Sequence, residues 1–317
     1  MSSYACVYLS DGRPICSFRN GVDQLFFILF TRDDWIELKG PEAARLAAWK
    51  RDPDEHDEVR VTGFRTRVGV LRDRLDVLGV PPWCVASELE RLAAERMEFL
   101  VDFRQSQPTI PDLDDEDAQE VGYLTGLTWD RWLADLRKGL AAGQRVERWG
   151  QREPFGSASW LMSLWDDHDS RHQLRAVLEA LAPEEEITLD LDDLLEGGWL
   201  EPSVDPRDHA RELVAYTSQG GLAPIVLTEG RFDVEVLTYA LALRRPHLIG
   251  YLKLPDFAQK NEGGAAALRQ TVRAFASAGI PNRVVALFDN DTAARDVVHA
   301  VDTSALPPSL RPPGVVP

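Results

Sequence analysis

Two stretches decide the fold of the C-terminal part of this 317-residue chain: APIVLTEGRFDVEVL at residues 223–237 and RVVALFDNDTAARDVV at residues 283–298. Each opens with an apolar run that does not alternate with polar residues, the pattern that burial of both faces in a parallel sheet produces. Each then passes through acidic residues into a helical pattern. Between them, LIGYLKL at residues 248–254 reads as a further strand, and a helix is predicted from about Gly264 to Ala278. With helices over about 232–243 and 292–301, these runs make three β-then-α units, and the expected fold is α/β: a Rossmann-like parallel sheet with flanking helices.

In such sheets ligands sit beyond the carboxyl ends of the strands. The first strand ends in Glu229-Gly230 and the third in Asp289-Asn290-Asp291. Three acids are thus expected at one sheet edge, where a pair of unit charges ~4 Å apart repels by about 4 kcal/mol at an effective dielectric near 20. A cation relieves that repulsion, and oxygen-only ligands favour Mg²⁺ or Mn²⁺. Asp233 lies one helical turn after Glu229 and is a candidate ligand to the same metal. The plainer readings are strand-end polar residues for Glu229, Asp289 and Asp291, and a first-turn acid favoured by the helix dipole for Asp233. Asp256 is a weaker candidate ligand, and Gly263 and Gly264 offer backbone N–H groups to a phosphate; both features also suit an ordinary loop and helix start.

The rest of the chain differs in composition. Residues 221–317 hold 10 Lys+Arg and 9 Asp+Glu, so residues 1–220 hold 25 against 43 and carry the whole acidic excess behind the net charge of −17. All nine tryptophans precede residue 200. Together with the small polar segment TSQGG at 217–221, this contrast sets expected domains at 1–216 and 224–317, joined by a linker over 217–223. The N-terminal domain opens with a hairpin signature, YACVYL-SDGRP-ICSF, in which Asp11-Gly12 supplies the turn. Leu25 to Phe30 reads as a further strand. From about Pro41 onward the apolar spacing is helical, as at Val68, Leu71, Leu75 and Leu78, and at Leu89, Leu92, Met97 and Leu100. Thr128 is the expected N-cap of a helix carrying Trp129, Trp132, Leu133 and Leu136. His209, Leu213 and Tyr216 suggest another before the linker. The N-terminal domain is therefore expected to be mainly α behind a β-hairpin.

Several function classes fall away. Three widely spaced cysteines, Cys6, Cys16 and Cys84, without a C-x-x-C pair, argue against a disulfide framework or a zinc module. No G-x-x-x-x-G-K-[ST] occurs, so P-loop ATPase chemistry is not expected. No apolar run approaches the ~18 residues of a membrane span, and no signal-peptide pattern opens the chain; a cytoplasmic protein without a membrane partner is expected. His168 and His172 share helical spacing but lack an H-E-x-x-H glutamate. Arg51 and His56 match the loose R-x4-6-H pattern of HEPN ribonucleases within a loop-like, acidic context.

The pair of motifs VLTEGRFD and VVALFDND, sixty residues apart at strand ends, resembles the Toprim domain of topoisomerases, bacterial primases and the overcoming-lysogenization-defect nucleases. The resemblance covers Pro224 to Val301. It implies that Glu229 acts as general acid or base, that Asp289 and Asp291 hold a divalent metal, and that Asp233 supports a second metal as in those nucleases. Residues 1–220 leave little room for a topoisomerase strand gate, and the cysteines cannot build a primase zinc module, which leaves a hydrolytic Toprim. The opening YACVYLSDGRPICSFRNG resembles the HEPN/Toprim N-terminal domain of bacterial proteins associated with antiphage defence. A Mg²⁺-dependent nuclease acting on DNA or RNA, working with a regulatory partner or as a homo-oligomer, is then expected. The other class left open is a non-catalytic Toprim-fold binding or regulatory protein. With Glu229, Asp233, Asp289 and Asp291 neutralised by metal, residues 221–317 carry 10 basic against 5 acidic side chains. Arg231, Lys253 and Lys260 are then candidates for a phosphate path.

Overall fold

The computed structural model describes residues 3–48, 59–106, 114–146, 154–165, 169–201, 205, 207, 208, 210, 222–255 and 264–299. The chain divides into two compact units, Met1–Thr217 and Ser218–Pro317.

The N-terminal unit is built on a five-stranded antiparallel sheet. Its strands are β1 (Tyr4–Leu9), β2 (Pro14–Arg19), β3 (Trp35–Lys39), β4 (Arg60–Arg67) and β5 (Glu186–Asp190), in the order β2-β1-β5-β4-β3. The hairpin closes where expected: the Gly12 N–H donates to the Leu9 carbonyl and the Leu9 N–H to the Arg13 carbonyl, both at 2.9 Å. Gly12 has φ +86°, and a Cβ there would stand 2.5 Å from the Arg45 carbonyl oxygen, so both backbone conformation and close approach demand glycine. Between strands Gly63 is demanded by close approach alone, since a Cβ would meet the Leu189 oxygen at 1.9 Å.

Two expectations for this unit need correction. Leu25 to Phe30 is not a strand: Gln24–Phe27 forms a short helix, α1, capped by Asp23, whose carboxylate accepts from the Leu25 N–H at 2.9 Å. A short apolar run fits a buried helix as well as a buried strand, and here the aspartate cap decides it. Nor is the unit only helices behind a hairpin. β5 crosses most of the unit's sequence to pair with both β1 and β4, and its own sequence, EITLD, lies in an acidic stretch.

Around the sheet run α2 (Pro41–Leu46), α3 (Val68–Leu78), α4 (Pro82–Ser106), α5 (Asp114–Leu124), α6 (Trp129–Ala141), α7 (Ala158–Ser163), α8 (Ser170–Leu178) and α9 (Asp192–Glu196). The spacing argument holds on α3, where Val68, Leu71, Leu75 and Leu78 are all buried. It holds on α6, where the Thr128 hydroxyl accepts from the Arg131 N–H at 3.3 Å and Trp132, Leu133 and Leu136 are buried. Phe26, Phe30 and Phe64 form one aromatic cluster of the core and Trp132 with Trp165 another. Cys6 and Cys16 are buried free thiols.

The C-terminal unit contains β6 (Ile225–Thr228) and β7 (Val284–Leu287), paired in parallel, with α10 (Arg231–Arg244), α11 (Ala265–Ser277) and α12 (Thr292–His299). The expected middle strand at 248–254 shrinks to one bridge, Lys253 against Ile225, following a 3₁₀ turn over Pro246–Leu248. Pro246, whose fixed φ suits the first position of the 3₁₀ turn, starts that turn, and Gly250, at φ +89°, turns the chain before it can extend. The outcome is a small parallel sheet with helices rather than three full β-α units. His209, Leu213 and Tyr216 lie outside the described residues. Among those described, no helix is long and apolar enough to cross a membrane.

Candidate functional site

The β6–β7 register, Ile225 opposite Val284 through Thr228 opposite Leu287, brings the carboxyl ends of both strands to one edge. Glu229 is the first residue past β6 and Asp289 the second past β7. The Glu229 carboxylate accepts from the Asp289 backbone N–H, Oε1 to N 2.8 Å, across 60 residues of sequence. The Gly264 N–H donates to the Glu229 carbonyl at 3.1 Å. Gly264 has φ +114° and stands at the N-cap of α11. Thus the end of β6, the end of β7 and the start of α11 meet around one glutamate.

The other two acids are engaged locally. The Asp233 carboxylate accepts from the Gly230 N–H, Oδ2 to N 3.0 Å. This is half of a capping box, because glycine has no side chain to return the bond. Asp291 accepts from the Ala294 N–H, Oδ1 to N 2.7 Å, capping α12. Each bond places a carboxylate on the positive end of a helix dipole, where it is stabilised without a cation. Among the described residues no group of three or more His, Cys, Asp or Glu side chains is arranged to hold a metal ion. The donor chemistry at the edge is nevertheless that of a hard cation, which Mg²⁺ meets with one or two carboxylates and otherwise water and phosphate. Glu229 and Asp289 meet here through the Glu229 carboxylate and the Asp289 backbone N–H.

Of the basic candidates, Arg231 pairs with Glu235 on α10 at 3.0 Å with both side chains exposed, and Lys253 is exposed at the bridge beside β6. Asp256, Lys260 and Gly263 lie outside the described residues, as do Arg51, His56, Asp166, Asp167 and His168. His172 lies on α8.

Sequence reading missed the arginines that organise the N-terminal unit. Arg74, on α3, is buried and pairs with buried Asp34 at 2.7 Å while donating to the Leu29 carbonyl at 2.9 Å. Arg175, on α8, reaches Asp76 at 2.7 Å. These partners are 40 and 99 residues apart, so no local pattern signals them. Asp205 and Arg207 are closer in sequence, and the Arg207 guanidinium beside it holds the Asp205 carboxyl below the usual carboxylate range.

The family described as HEPN/Toprim N-terminal domain 1 matches residues 1–215, which is most of the N-terminal unit and more than half of the chain. The chain belongs to this family. The match ends before β6, so the Glu229–Asp289 edge lies beyond the part by which the family is identified. No curated protein and no solved structure matches the chain.

Proposed function

We propose that the C-terminal unit is a Toprim-type centre that hydrolyses nucleic-acid phosphodiester bonds with a divalent metal, and that the protein serves as an effector of bacterial antiphage defence. The observation that carries the reading is the contact of Glu229 with Asp289 at the common end of two parallel strands. The family name, which joins HEPN and Toprim, supports it.

Glu229 and Asp289, with Asp233 and Asp291 released from their helix ends, would hold Mg²⁺ or Mn²⁺. When bound, the ion neutralises charge developing on the phosphate oxygens. Glu229 carries the proton to or from the reacting oxygen, and its bond to the Asp289 N–H fixes where that carboxylate points. The N-terminus of α10, starting just after Glu229, lies at the same edge and suits a phosphate, whereas the Gly264 N–H is already given to the Glu229 carbonyl. Arg231 and Lys253 add positive charge beside it.

A non-catalytic binding or regulatory role is the second reading. It is favoured by the capping bonds of Asp233 and Asp291, which account for both acids without metal. A cleavage assay separates the two, using plasmid, single-stranded DNA and tRNA with Mg²⁺ or Mn²⁺. Glu229→Gln keeps an oxygen acceptor for the Asp289 N–H but removes the proton carrier, and cleavage is expected to fall by about 10²-fold or more. Asp289→Asn is expected to lose activity and raise the metal requirement. Cleavage unchanged in both variants would remove the centre from this edge; no cleavage of any substrate by the parent chain would favour the binding role.

A further inference from the structure

The N-terminal unit has a half-open cavity of about 340 Å³ whose lining includes Arg32, Trp35, Asp205 and Arg207. That volume is at the lower end of the ~300–1,000 Å³ range of small-molecule pockets. Its composition is unlike the unit around it: two guanidinium groups face one carboxylate, in a region where acids outnumber bases 43 to 25.

The charges inside the cavity are not equivalent. Arg207 is only 4% exposed and is paired with Asp205. Its Nε donates to Asp205 Oδ1 at 2.7 Å, its Nη2 makes a second bond to Oδ2, and its guanidinium lies 5.7 Å from the Phe64 ring centroid. Asp205 therefore has its charge answered by Arg207. Arg32 stands 3.8 Å from the same carboxylate, too far for a hydrogen bond, and its side chain is 81% exposed. The Arg32 guanidinium stays open to solvent, a planar group that suits bidentate contact with phosphate.

The wall beside that charge is aromatic. Trp35 opens the edge strand β3 opposite Phe64, its ring edge-on to the Phe64 ring at 5.1 Å and itself 40% exposed. The scaffold beneath is tied to the core by hydrogen bonds. Arg32 begins a 3₁₀ turn whose last residue, Asp34, accepts from the Thr31 N–H at 2.6 Å and from buried Arg74 at 2.7 Å. Arg32 and Trp35 thus project from the two ends of a turn pinned to the core.

We propose that this cavity binds a nucleotide, with the base against the Trp35 indole and the phosphate on the Arg32 guanidinium. Aromatic stacking of a base contributes about 1–3 kcal/mol and tolerates any base, so the site selects for the joint presence of a ring and a phosphate. A free nucleoside monophosphate and the 5′-phosphorylated end of a strand share this chemistry. The site lies in a different unit from the Glu229–Asp289 edge and stands or falls separately from the hydrolytic reading.

Calorimetric titration of the full chain with AMP, adenosine, inorganic phosphate and a 5′-phosphorylated short single strand tests it. AMP is expected to bind about tenfold or more tightly than either adenosine or phosphate alone. Arg32→Glu, at an exposed side chain whose loss leaves the core intact, is expected to weaken AMP by at least about tenfold and leave adenosine unchanged. Trp35→Ala is expected to weaken both. A strand that binds more tightly than AMP identifies a strand end as the ligand; the reverse identifies a free nucleotide. No binding by AMP, GMP, CMP or UMP at millimolar concentration overturns the proposal. So does phosphate binding as tightly as AMP, or AMP binding that Arg32→Glu leaves unchanged while the variant keeps the parent's circular dichroism.

Discussion

The two units handle apolar and charged side chains in opposite ways. In the N-terminal unit the sheet has β5 at its centre, large aromatic side chains such as Trp132, Trp165, Phe26 and Phe64 are fully or almost fully buried, and arginines are taken inside against carboxylates. In the C-terminal unit both strands have four residues, and α10 buries none of its side chains. Phe232, Val236, Tyr239 and Leu243, spaced 4-3-4 along one face of α10, are all exposed, as are Val285 and Leu287 on β7. The N-terminal unit has the core of an independent domain. Among its described residues the C-terminal unit keeps its polar groups at a strand edge over few buried apolar side chains, the low-stability setting from which ligand-binding segments are commonly drawn.

The sharpest way to break this contrast is to truncate one large aromatic in each unit. Trp132→Ala removes a fully buried indole that donates to the Leu161 carbonyl at 3.1 Å, and is expected to lower the unfolding free energy by about 3–5 kcal/mol. Phe232→Ala, at a side chain 74% exposed, is expected to change it by less than about 0.5 kcal/mol. Urea unfolding followed by far-UV circular dichroism reads both. Equal losses would mean that the α10 face is covered in solution and that the two units are packed alike.

A smaller difference is expected for charge. Asp34→Asn keeps the volume but removes the ion from a bond to buried Arg74, and a loss of about 1.5–3 kcal/mol is expected. Glu235→Ala breaks the exposed Arg231 pair on α10, where an i,i+4 contact contributes less than about 0.5 kcal/mol. If Asp34→Asn is as mild as Glu235→Ala, the N-terminal unit does not depend on its internal ion pairs, and its advantage is apolar packing alone.

What the sequence disclosed follows the range of the interactions. The Asp11-Gly12 hairpin, the Thr128 cap and the α3 stripe are local and legible. So was the pairing of VLTEG with VVALFDND at one edge, because unbroken apolar runs imply parallel strands and parallel strands align their ends. β5 was hidden because its partners are distant and its sequence is acidic, although Asp190 is buried at 1% exposure. The strand expected at 248–254 failed because Pro246 and Gly250 outweighed apolar content. The Arg32–Trp35–Asp205 cavity was invisible for a further reason: Arg32 and Asp205 are 173 residues apart and are joined only by the fold.

Asp233 is where the comparison between units becomes a question about a single side chain. As a cap it needs only an oxygen facing the Gly230 N–H and gains something from its charge at the start of α10. Asp233→Asn retains the acceptor, so a purely structural Asp233 predicts a stability change at the few-tenths level, while Asp233→Ala loses both bond and charge and is expected to cost about 0.3–1 kcal/mol. As a metal ligand it needs the charge, and Asp233→Asn is then as damaging to metal-dependent cleavage as Asp233→Ala although its stability is close to that of the parent. Measuring unfolding and cleavage on both variants separates the roles by their pattern. Asparagine close to the parent in both measurements assigns Asp233 to the helix end, and the C-terminal unit then resembles the N-terminal one in using its acids to build structure. Asparagine close to the parent in stability but inactive assigns it to the metal, and the exposed, thinly packed unit is the one whose charges are kept for chemistry.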